Sequence, residues 1–310
     1  MIKRVAVKVL GLVLLTSVVL LSSEGRAVAG GGAVVDVEKI YGLSPDGSGV
    51  YSYNGTPMSW TQVGGPAVKI YGGDGTLCAT SPGTGDLYRY SGTPMAWTKI
   101  GGPGSDFIIS GSQIYGVSPD GSGIWKYNGT PMSWTKIGGP GKSFVIASNR
   151  LYGLSPDGSG VYWYNGTPMS WTQVGGPAIQ IYGGGGGSAL LATSPADGSV
   201  YKYNGTPMAW TKIGGPGSDF AMSGSTIYGL SPDGSGVYRY NGTPMAWTQV
   251  GGPATEIFGG ASGLCATSPA TGDVYKFNGV PMAWTKIGGP GKSFAVAVNS
   301  MSGNRSQDEP

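Results

Sequence analysis

The chain has 310 residues, of which 60 are glycine and none is histidine, so a mainly helical fold, Ser-His or Cys-His catalysis and histidine metal sites are excluded. Of its 19 basic and 16 acidic residues, four basic and one acidic lie within the first 29, which leaves 15 of each. The remainder is formally neutral, without the basic excess that binding to nucleic acid or anionic lipid requires.

Residues 1 to 29 have the pattern of a secretory signal peptide. Lys3, Arg4 and Lys8 form a basic head, a mostly apolar run follows, and Ala27 to Ala29 form a small-residue cleavage site. The apolar run is shorter than the roughly 20 residues of a spanning helix, which favours cleavage over an uncleaved membrane anchor. We therefore expect a protein that is secreted, periplasmic or displayed on the cell surface, with no membrane insertion after cleavage.

A repeated unit fills the rest of the chain. The motif Pro-Met-(Ser/Ala)-Trp-Thr occurs seven times, and its tryptophans are 37 residues apart except for one interval of 39. These tryptophans are Trp60, Trp97, Trp134, Trp171, Trp210, Trp247 and Trp284.

Each unit has the pattern of four short strands. Between residues 144 and 176 the segments FVIAS, RLYGLS, VYWY and SWTQV are separated by turns such as PDGSG and NGTPM, and the unit ends in GGP. Asp-Gly and Asn-Gly are typical of β-hairpin turns, so neighbouring strands should be antiparallel. One such unit cannot bury both faces alone. A solenoid and a β-propeller both solve this problem, and hairpin-linked strands that are semi-apolar on both faces favour a seven-bladed propeller over residues 30 to 301.

Closure of the ring allows two candidates for the first strand of blade 1. Residues 294 to 298 (FAVAV) and residues 33 to 37 (AVVDV) both match that strand. Asp36 falls where other copies have Ser110 or Ala147, which is unfavourable in a packed inner strand. We therefore predict that the C-terminal segment joins blade 1, followed by a disordered tail over residues 302 to 310.

The two cysteines occupy the same place in two copies of the unit. At the positions of Cys78 and Cys265 the other copies carry tyrosine or leucine, which indicates a core position. We predict two buried thiols rather than a disulfide.

The segment AWTKIGGPGSDFAMSGSTIYGLSPDGSGVYRY, from Ala209 to Tyr240, resembles the tectonin repeat, which also occurs in tachylectin-type propellers. The resemblance covers about residues 33 to 299. It implies a β-propeller lectin, secreted or surface-acting, that recognises glycans on cells with no enzymatic step.

Catalysis has little support in the sequence. An enzyme needs a nucleophile with a base, paired carboxylates or metal ligands in one pocket. An acid recurs in the same hairpin turn of every unit, which indicates a structural role, and the turns lack the alternating acids of a calcium loop. We expect no metal, no cofactor and no enzymatic activity. A glycan-cleaving enzyme would have to use acids outside these turns, Asp74, Asp106, Asp219 and Glu256, which lie in different blades. The turn acids are Asp46, Asp86, Asp120, Asp157, Asp197, Asp233 and Asp273.

The candidate ligand-binding residues lie where the third strand ends and the fourth begins. An aromatic ring can cover the C–H face of a sugar while an amide binds its hydroxyl groups. The same residues have a structural alternative, since a propeller tryptophan often packs between blades and Asn before Gly suits a turn. The candidates are Tyr53, Asn54, Trp60, Tyr90, Trp97, Tyr127, Asn128, Trp134, Tyr164, Asn165, Trp171, Tyr203, Asn204, Trp210, Tyr240, Asn241, Trp247, Asn278 and Trp284.

One position of the fourth strand varies between the copies. Its long polar side chains suggest a partly exposed edge that could contact ligand hydroxyls, or merely a solvated face. They are Gln62, Lys99, Lys136, Gln173, Lys212, Gln249 and Lys286.

Repetition suits multivalent binding, because several weak sites on one rigid ring raise avidity by roughly 10² to 10⁴. The sequence thus predicts a glycan-binding propeller with no nucleic-acid partner. The alternative is a structural or protein-docking propeller without sugar affinity.

Overall fold

The computed structural model describes residues 36–184, 189–260 and 263–300, and within these ranges every regular element is a β-strand. The expected signal peptide (1–29) and tail (302–310) lie outside the described residues, as does part of the glycine run that follows Tyr182. No helix in the described ranges is long and apolar enough to cross a membrane.

The strands are short and follow the predicted segments closely. In chain order they are β1 (Asp36–Leu43), β2 (Val50–Tyr53), β3 (Trp60–Gly64), β4 (Ile70–Gly73), β5 (Thr76–Thr80), β6 (Asp86–Tyr90), β7 (Trp97–Pro103), β8 (Asp106–Ser110), β9 (Gln113–Val117), β10 (Ile124–Tyr127), β11 (Trp134–Gly138), β12 (Ser143–Ala147), β13 (Arg150–Leu154), β14 (Val161–Tyr164), β15 (Trp171–Gly175), β16 (Ile181–Tyr182), β17 (Leu191–Thr193), β18 (Ser199–Tyr203), β19 (Trp210–Pro216), β20 (Asp219–Ser223), β21 (Thr226–Leu230), β22 (Val237–Tyr240), β23 (Trp247–Gly251), β24 (Glu256–Gly259), β25 (Leu264–Thr267), β26 (Asp273–Phe277), β27 (Trp284–Pro290) and β28 (Ser293–Ser300).

These strands form seven antiparallel sheets of four strands each, which are the blades of a β-propeller, as predicted. Blade 1 has the order β28-β1-β2-β3, so the C-terminal strand supplies its inner edge. The pairing of β28 with β1 runs from Ser293↔Leu43 to Ser300↔Asp36. The prediction about closure is thereby confirmed, since the C-terminal segment joins blade 1 and pairs with the strand at the start of the described chain. Blades 2 to 7 take the remaining strands four at a time in chain order.

The hydrophobic core is divided among the contacts between blades. Each of seven buried clusters combines side chains from two adjacent blades, so no blade is stable without its neighbours. Cys78 packs between blades 2 and 3, and Cys265 packs between blades 7 and 1. Both thiols are buried and no disulfide joins them, which confirms the prediction. Burial raises the pKa of Cys78 to about 12, so its thiol stays protonated.

One backbone carbonyl of each fourth strand holds the next blade in place. The carbonyl of Ile287 in β27 accepts a hydrogen bond from Trp60 Nε1 at 2.7 Å and another from the backbone N–H of Met58 at 3.0 Å. We call this arrangement the carbonyl clasp. It recurs at all seven contacts between blades, with acceptors Val63, Ile100, Ile137, Val174, Ile213, Val250 and Ile287.

The clasp imposes an unusual backbone conformation on the methionine. Met58 has φ = 63°, in the left-handed region that residues other than glycine rarely adopt, and its six counterparts lie between 63° and 65°. This conformation aims the N–H group at the neighbouring blade and leaves the side chain in solvent, where Met58 is 58% exposed.

Two acids lie together where the inner strands of blades 6 and 7 begin. Asp219 accepts the N–H group of Phe220 at 2.8 Å and that of Ile257 at 3.4 Å. Burial raises the pKa of Asp219 to about 6, with a further contribution from the negative charge of Glu256. Elsewhere, Asp106 pairs with Lys69 at 2.9 Å, and Asp74 accepts a hydrogen bond from Ser110.

The carbonyl clasp predicts a measurable stability cost. Trp171→Phe removes the 2.9 Å hydrogen bond to the Ile137 carbonyl and part of the ring that packs against Gly138. We expect the free energy of unfolding in urea to fall by about 2 kcal/mol. The control is Trp125→Tyr, which changes an exposed tryptophan outside the clasp. Equal stability of the two variants would contradict a role for the clasp.

Asp219 predicts a pH dependence of stability. Its folded pKa of about 6 lies above the usual 3.8, so the folded state binds the proton more tightly and stability falls as pH rises through this range. Asp219→Asn should therefore raise the melting temperature at pH 8 and leave it unchanged below about pH 4.

The matched control for this test is Asp46→Asn. Hydrogen bonds from Ser48 and Ser44 lower the pKa of Asp46 to about 2, so its charged form stabilises the fold above pH 3.8 and that stabilisation is lost as pH falls towards 2. This variant should lower the melting temperature at pH 8. A shift of the same sign in both variants would show that burial does not control Asp219.

Candidate ligand sites between the blades

Each blade carries a line of four cross-strand residues on the face towards the preceding blade, which we call the blade row. In blade 6 the row runs outward from Phe220 through Gly229 and Tyr238 to Gln249, each residue paired with the next. The row therefore offers a buried ring, a small residue, an aromatic side chain and a polar group, in that order. The equivalent rows are Phe294-Gly42-Tyr51-Gln62, Ile70-Ala79-Tyr88-Lys99, Phe107-Gly116-Trp125-Lys136, Phe144-Gly153-Tyr162-Gln173, Ile181-Ala192-Tyr201-Lys212 and Ile257-Ala266-Tyr275-Lys286.

The small residue of the row lies in the wall of a cavity. A Cβ atom at Gly229 would lie 2.9 Å from Cε1 of Phe220 and 3.4 Å from the ring of Trp247. Since glycine has no side chain, the two rings can pack directly against this strand, and together with Gly229 they line a hollow. Tyr238 borders the hollow on the outer side, and the Gly214 to Gly217 linker from blade 5 closes the opposite wall.

Cavities of this kind occur at four of the contacts between blades. Their volumes are about 260 Å³ in blade 6, 230 Å³ in blade 1, 240 Å³ in blade 3 and 220 Å³ in blade 5. Each is lined by the motif tryptophan, the aromatic residue of the row and the Gly-Gly-Pro linker of the preceding blade. Aromatic walls with a few polar groups are typical of small-molecule sites, although these cavities are smaller than the roughly 300–1,000 Å³ that drug-sized ligands need.

The polar end of the row takes one of two forms in six of the blades, and blade 3 has Lys136 there without an ion pair among the described residues. In blades 1, 4 and 6 it is a glutamine whose Nε2 donates to a backbone carbonyl of its own strand at 3.1 Å, which leaves its second amide hydrogen for a ligand. In blades 2, 5 and 7 it is a lysine paired with a carboxylate of the adjacent turn. These ion pairs are Lys99–Asp86 at 2.7 Å, Lys212–Asp197 at 3.1 Å and Lys286–Asp273 at 2.7 Å.

The turn carboxylates are held by short-range hydrogen bonds. In blade 3, Asp120 accepts hydrogen bonds from the N–H and hydroxyl groups of Ser122, and these bonds lower its pKa to about 2. The hydrogen bond from Lys99 is the main cause of the lowered pKa of Asp86, and that from Thr84 adds to it. These contacts agree with the structural role predicted for the repeated turn acids. No group of three His, Cys, Asp or Glu side chains in the described ranges could hold a metal ion.

The structure places the sequence-predicted candidates in two different environments. The motif tryptophans lie between blades, fixed by the carbonyl clasp, and Trp60, Trp134, Trp210 and Trp247 also line the cavities. Their tyrosine partners lie on the adjoining strand, with ring centroids 5.1 to 5.4 Å from the tryptophans. None of these tyrosines lines one of the four cavities.

The candidate asparagines face into their own turns. Asn54 donates through Nδ2 to Ser59 and accepts through Oδ1 from Thr61, which closes the NGTPM turn. Asn128 makes the same contacts with Ser133 and Thr135. The turn geometry thus accounts for the amide, while its outer surface stays exposed.

Sequence reasoning missed the aromatic residue of the blade row. Tyr51 lies two residues before the candidate Tyr53, and strand alternation puts both rings on the same face. Only Tyr51 pairs with Gly42 and therefore borders the hollow. The alternation was a usable signal, but the pairing partner depends on the register of the hairpin.

Comparisons with known proteins show the fold and go no further. No family model and no curated protein matches the chain by sequence. Among solved structures, AztD from Citrobacter koseri matches with a TM-score of 0.58 and 11% identity, covering 87% of this chain and all of that one. The CRINKLY WD40 ectodomain of the Arabidopsis thaliana receptor kinase ACR4 matches with a TM-score of 0.52 and 16% identity, covering 80% of this chain and 94% of that chain.

YCF48 from Cyanidioschyzon merolae matches with a TM-score of 0.51 and 12% identity, covering 74% of this chain and 88% of that one. None of these three proteins is named as a tectonin or tachylectin lectin. At such low identities the likeness extends to the architecture alone, and the chain is similar to all three as a β-propeller.

Proposed function

We propose that this protein is an exported, multivalent carbohydrate-binding protein of the tectonin and tachylectin type, and that it binds glycans in the cavities between its blades. The observation that carries the proposal is the blade row, which places a half-buried tyrosine or an exposed tryptophan in the wall of a small hollow, with a glutamine or lysine as its partner on the adjoining strand. The resemblance of the repeat to tectonin agrees with it.

The chemistry of the cavity suits one sugar residue at a time. In blade 6 the ring of Tyr238 would cover the C–H face of a pyranose, and Trp247 would form the floor. Gln249, the cross-strand neighbour of Tyr238, and the peptide groups of the linker would bind the hydroxyls. Binding of this kind needs neither a metal ion nor a reacting group, so the proposal includes no catalytic step.

Several cavities on one ring would together provide the binding strength that a single cavity lacks. A site with a dissociation constant near 1 mM provides only about 4 kcal/mol. Cavities at four or more blade contacts of a rigid ring, all open at once, would raise the avidity for a glycan-covered surface by orders of magnitude.

The proposal predicts that a change in one row abolishes binding in one blade. A glycan array with the purified protein first identifies the strongest ligand, and the corresponding free monosaccharide is then titrated while the indole N–H signals are followed by NMR. Tyr238→Leu should abolish the perturbation of the Trp247 signal and leave those of the other blades unchanged, because each cavity has its own tyrosine or tryptophan.

Asn241→Ser is the matched control in the same blade. Blade 2 has Ser91 at this position, so the fold accepts the change, and we expect the Trp247 signal to respond to sugar as in the unmodified protein. Loss of binding in this variant alone would indicate that the sugar binds at the outer turn and not in the cavity. A folded protein that binds no glycan on the array would overturn the proposal and leave a docking or structural propeller.

A further inference from the structure

Blade 3 differs from the other six blades in the aromatic residue of its row and in the surroundings of its polar residue. Its aromatic residue is Trp125, where every other blade has tyrosine, and its polar residue is Lys136. The two are cross-strand partners in β10 and β11. Trp125 is 36% exposed and lines the cavity of about 240 Å³, together with Phe107 and Trp134.

Lys136 also differs from the lysines at the same position of other blades. Lys99 and Lys286 each contact a carboxylate, Asp86 or Asp273, at 2.7 Å. In blade 3 the residue that aligns with these acids is Gly123. Among the residues that the structure describes, no carboxylate lies within ion-pair distance of Lys136.

The two acids of blade 3 have other partners. Asp120 lies in the adjacent turn, but its carboxylate accepts from the N–H and hydroxyl groups of Ser122. Asp106, at the start of the inner strand, pairs with Lys69 of blade 2. Lys126 follows Trp125 directly, so it points to the opposite face of the blade. Among the described residues, Lys136 thus has no ion-pair partner, and it is the cross-strand neighbour of Trp125, which lines this cavity.

The other blades have either no charge or a paired charge at this position of the row. Blades 1, 4 and 6 have the same turn sequence as blade 3 but a neutral glutamine in place of the lysine. Blades 2, 5 and 7 have the lysine with a neutralising acid. Among the described residues, only blade 3 combines a lysine that has no ion pair with the larger aromatic face of a tryptophan.

We propose that the cavity of blade 3 selects a sugar residue with an anionic substituent, such as the carboxylate of a uronic acid. The sugar ring would lie against Trp125, and Lys136 would donate a charge-assisted hydrogen bond to the anionic group. This proposal rests on the proposed function, since it assigns a ligand class to one of the cavities described above. The remaining cavities would accept neutral sugars.

The first test is a glycan array of matched pairs in about 0.15 M salt, a screening strength at which only close charge pairs count. The pairs are glucuronide against glucoside, galacturonide against galactoside, and sulfated against unsulfated galactoside. Lys136→Gln should weaken binding to the acidic member of a pair by about three- to fivefold and leave the neutral member unchanged. The glutamine occurs naturally in three other rows, so the variant should fold normally.

Lys126→Gln is the control for net charge. It removes the same charge from the adjoining strand β10, on the opposite face of the blade, and it should leave the preference for acidic glycans as it was. An equal loss in both variants would show only a general electrostatic effect and would overturn the site. The carboxylate and sulfate pairs distinguish a uronate-selective site from one that accepts any anion.

The second test introduces the lysine, and with it the expected binding of acidic sugars, into another blade. Gln62→Lys gives blade 1 the lysine of blade 3 next to the same turn sequence. With methyl β-D-glucuronide as the probe, the Trp60 indole signal should gain a perturbation that it lacks in the unmodified protein. Methyl β-D-glucoside should affect it equally in both proteins.

The outcomes separate this inference from the proposed function. If neutral glycans bind while Lys136→Gln leaves acidic binding intact, the acidic site is overturned and the lectin proposal stands. If no glycan of either kind binds the folded protein, both fail. Loss of acidic binding in Lys136→Gln, with Lys126→Gln unaffected, supports both.

Discussion

The carbonyl clasp is the interaction on which the rest of the structure depends. A backbone carbonyl has two lone pairs, and the outer strand of each blade uses both to hold the next blade through a methionine N–H group and a tryptophan Nε1. The clasp also closes the ring, because Ile287 of blade 7 accepts from Met58 and Trp60 of blade 1. It requires the tryptophan, the left-handed methionine and the preceding Pro-containing turn together, which explains why these residues recur as one motif.

The architecture could be predicted because its signals are local and repeated. The interval between tryptophans gave the number of blades, and Asp-Gly and Asn-Gly marked the hairpins that became strand pairs such as β13 and β14. The choice of the C-terminal segment for blade 1 followed from the poor fit of Asp36 in an inner strand. These arguments need only the neighbours of each residue along the chain.

The sites were harder to predict because they depend on contacts between strands and between blades. Nothing near Trp60 in sequence shows that its indole N–H is used by a carbonyl more than 200 residues away. The blade row is defined by pairing across four strands, and a β-bulge next to Tyr51 shifts the last step of the pairing. Asn54 and Tyr53 are adjacent in the chain, yet one closes a turn and the other packs against tryptophan.

Variation between the copies is therefore more informative about function than their identity. The inner half of the row changes only in compensated pairs, Phe with Gly or Ile with Ala, because a Cβ at Gly42 would lie 3.1 Å from the Phe294 ring and needs a smaller neighbour. Packing thus explains both what is constant and what varies near the axis. At the outer end of the row packing imposes no such rule, and Gln, paired Lys and unpaired Lys all occur. Where packing does not restrict the residue type, ligand binding can do so. Differences in specificity among the blades should therefore arise at this outer position.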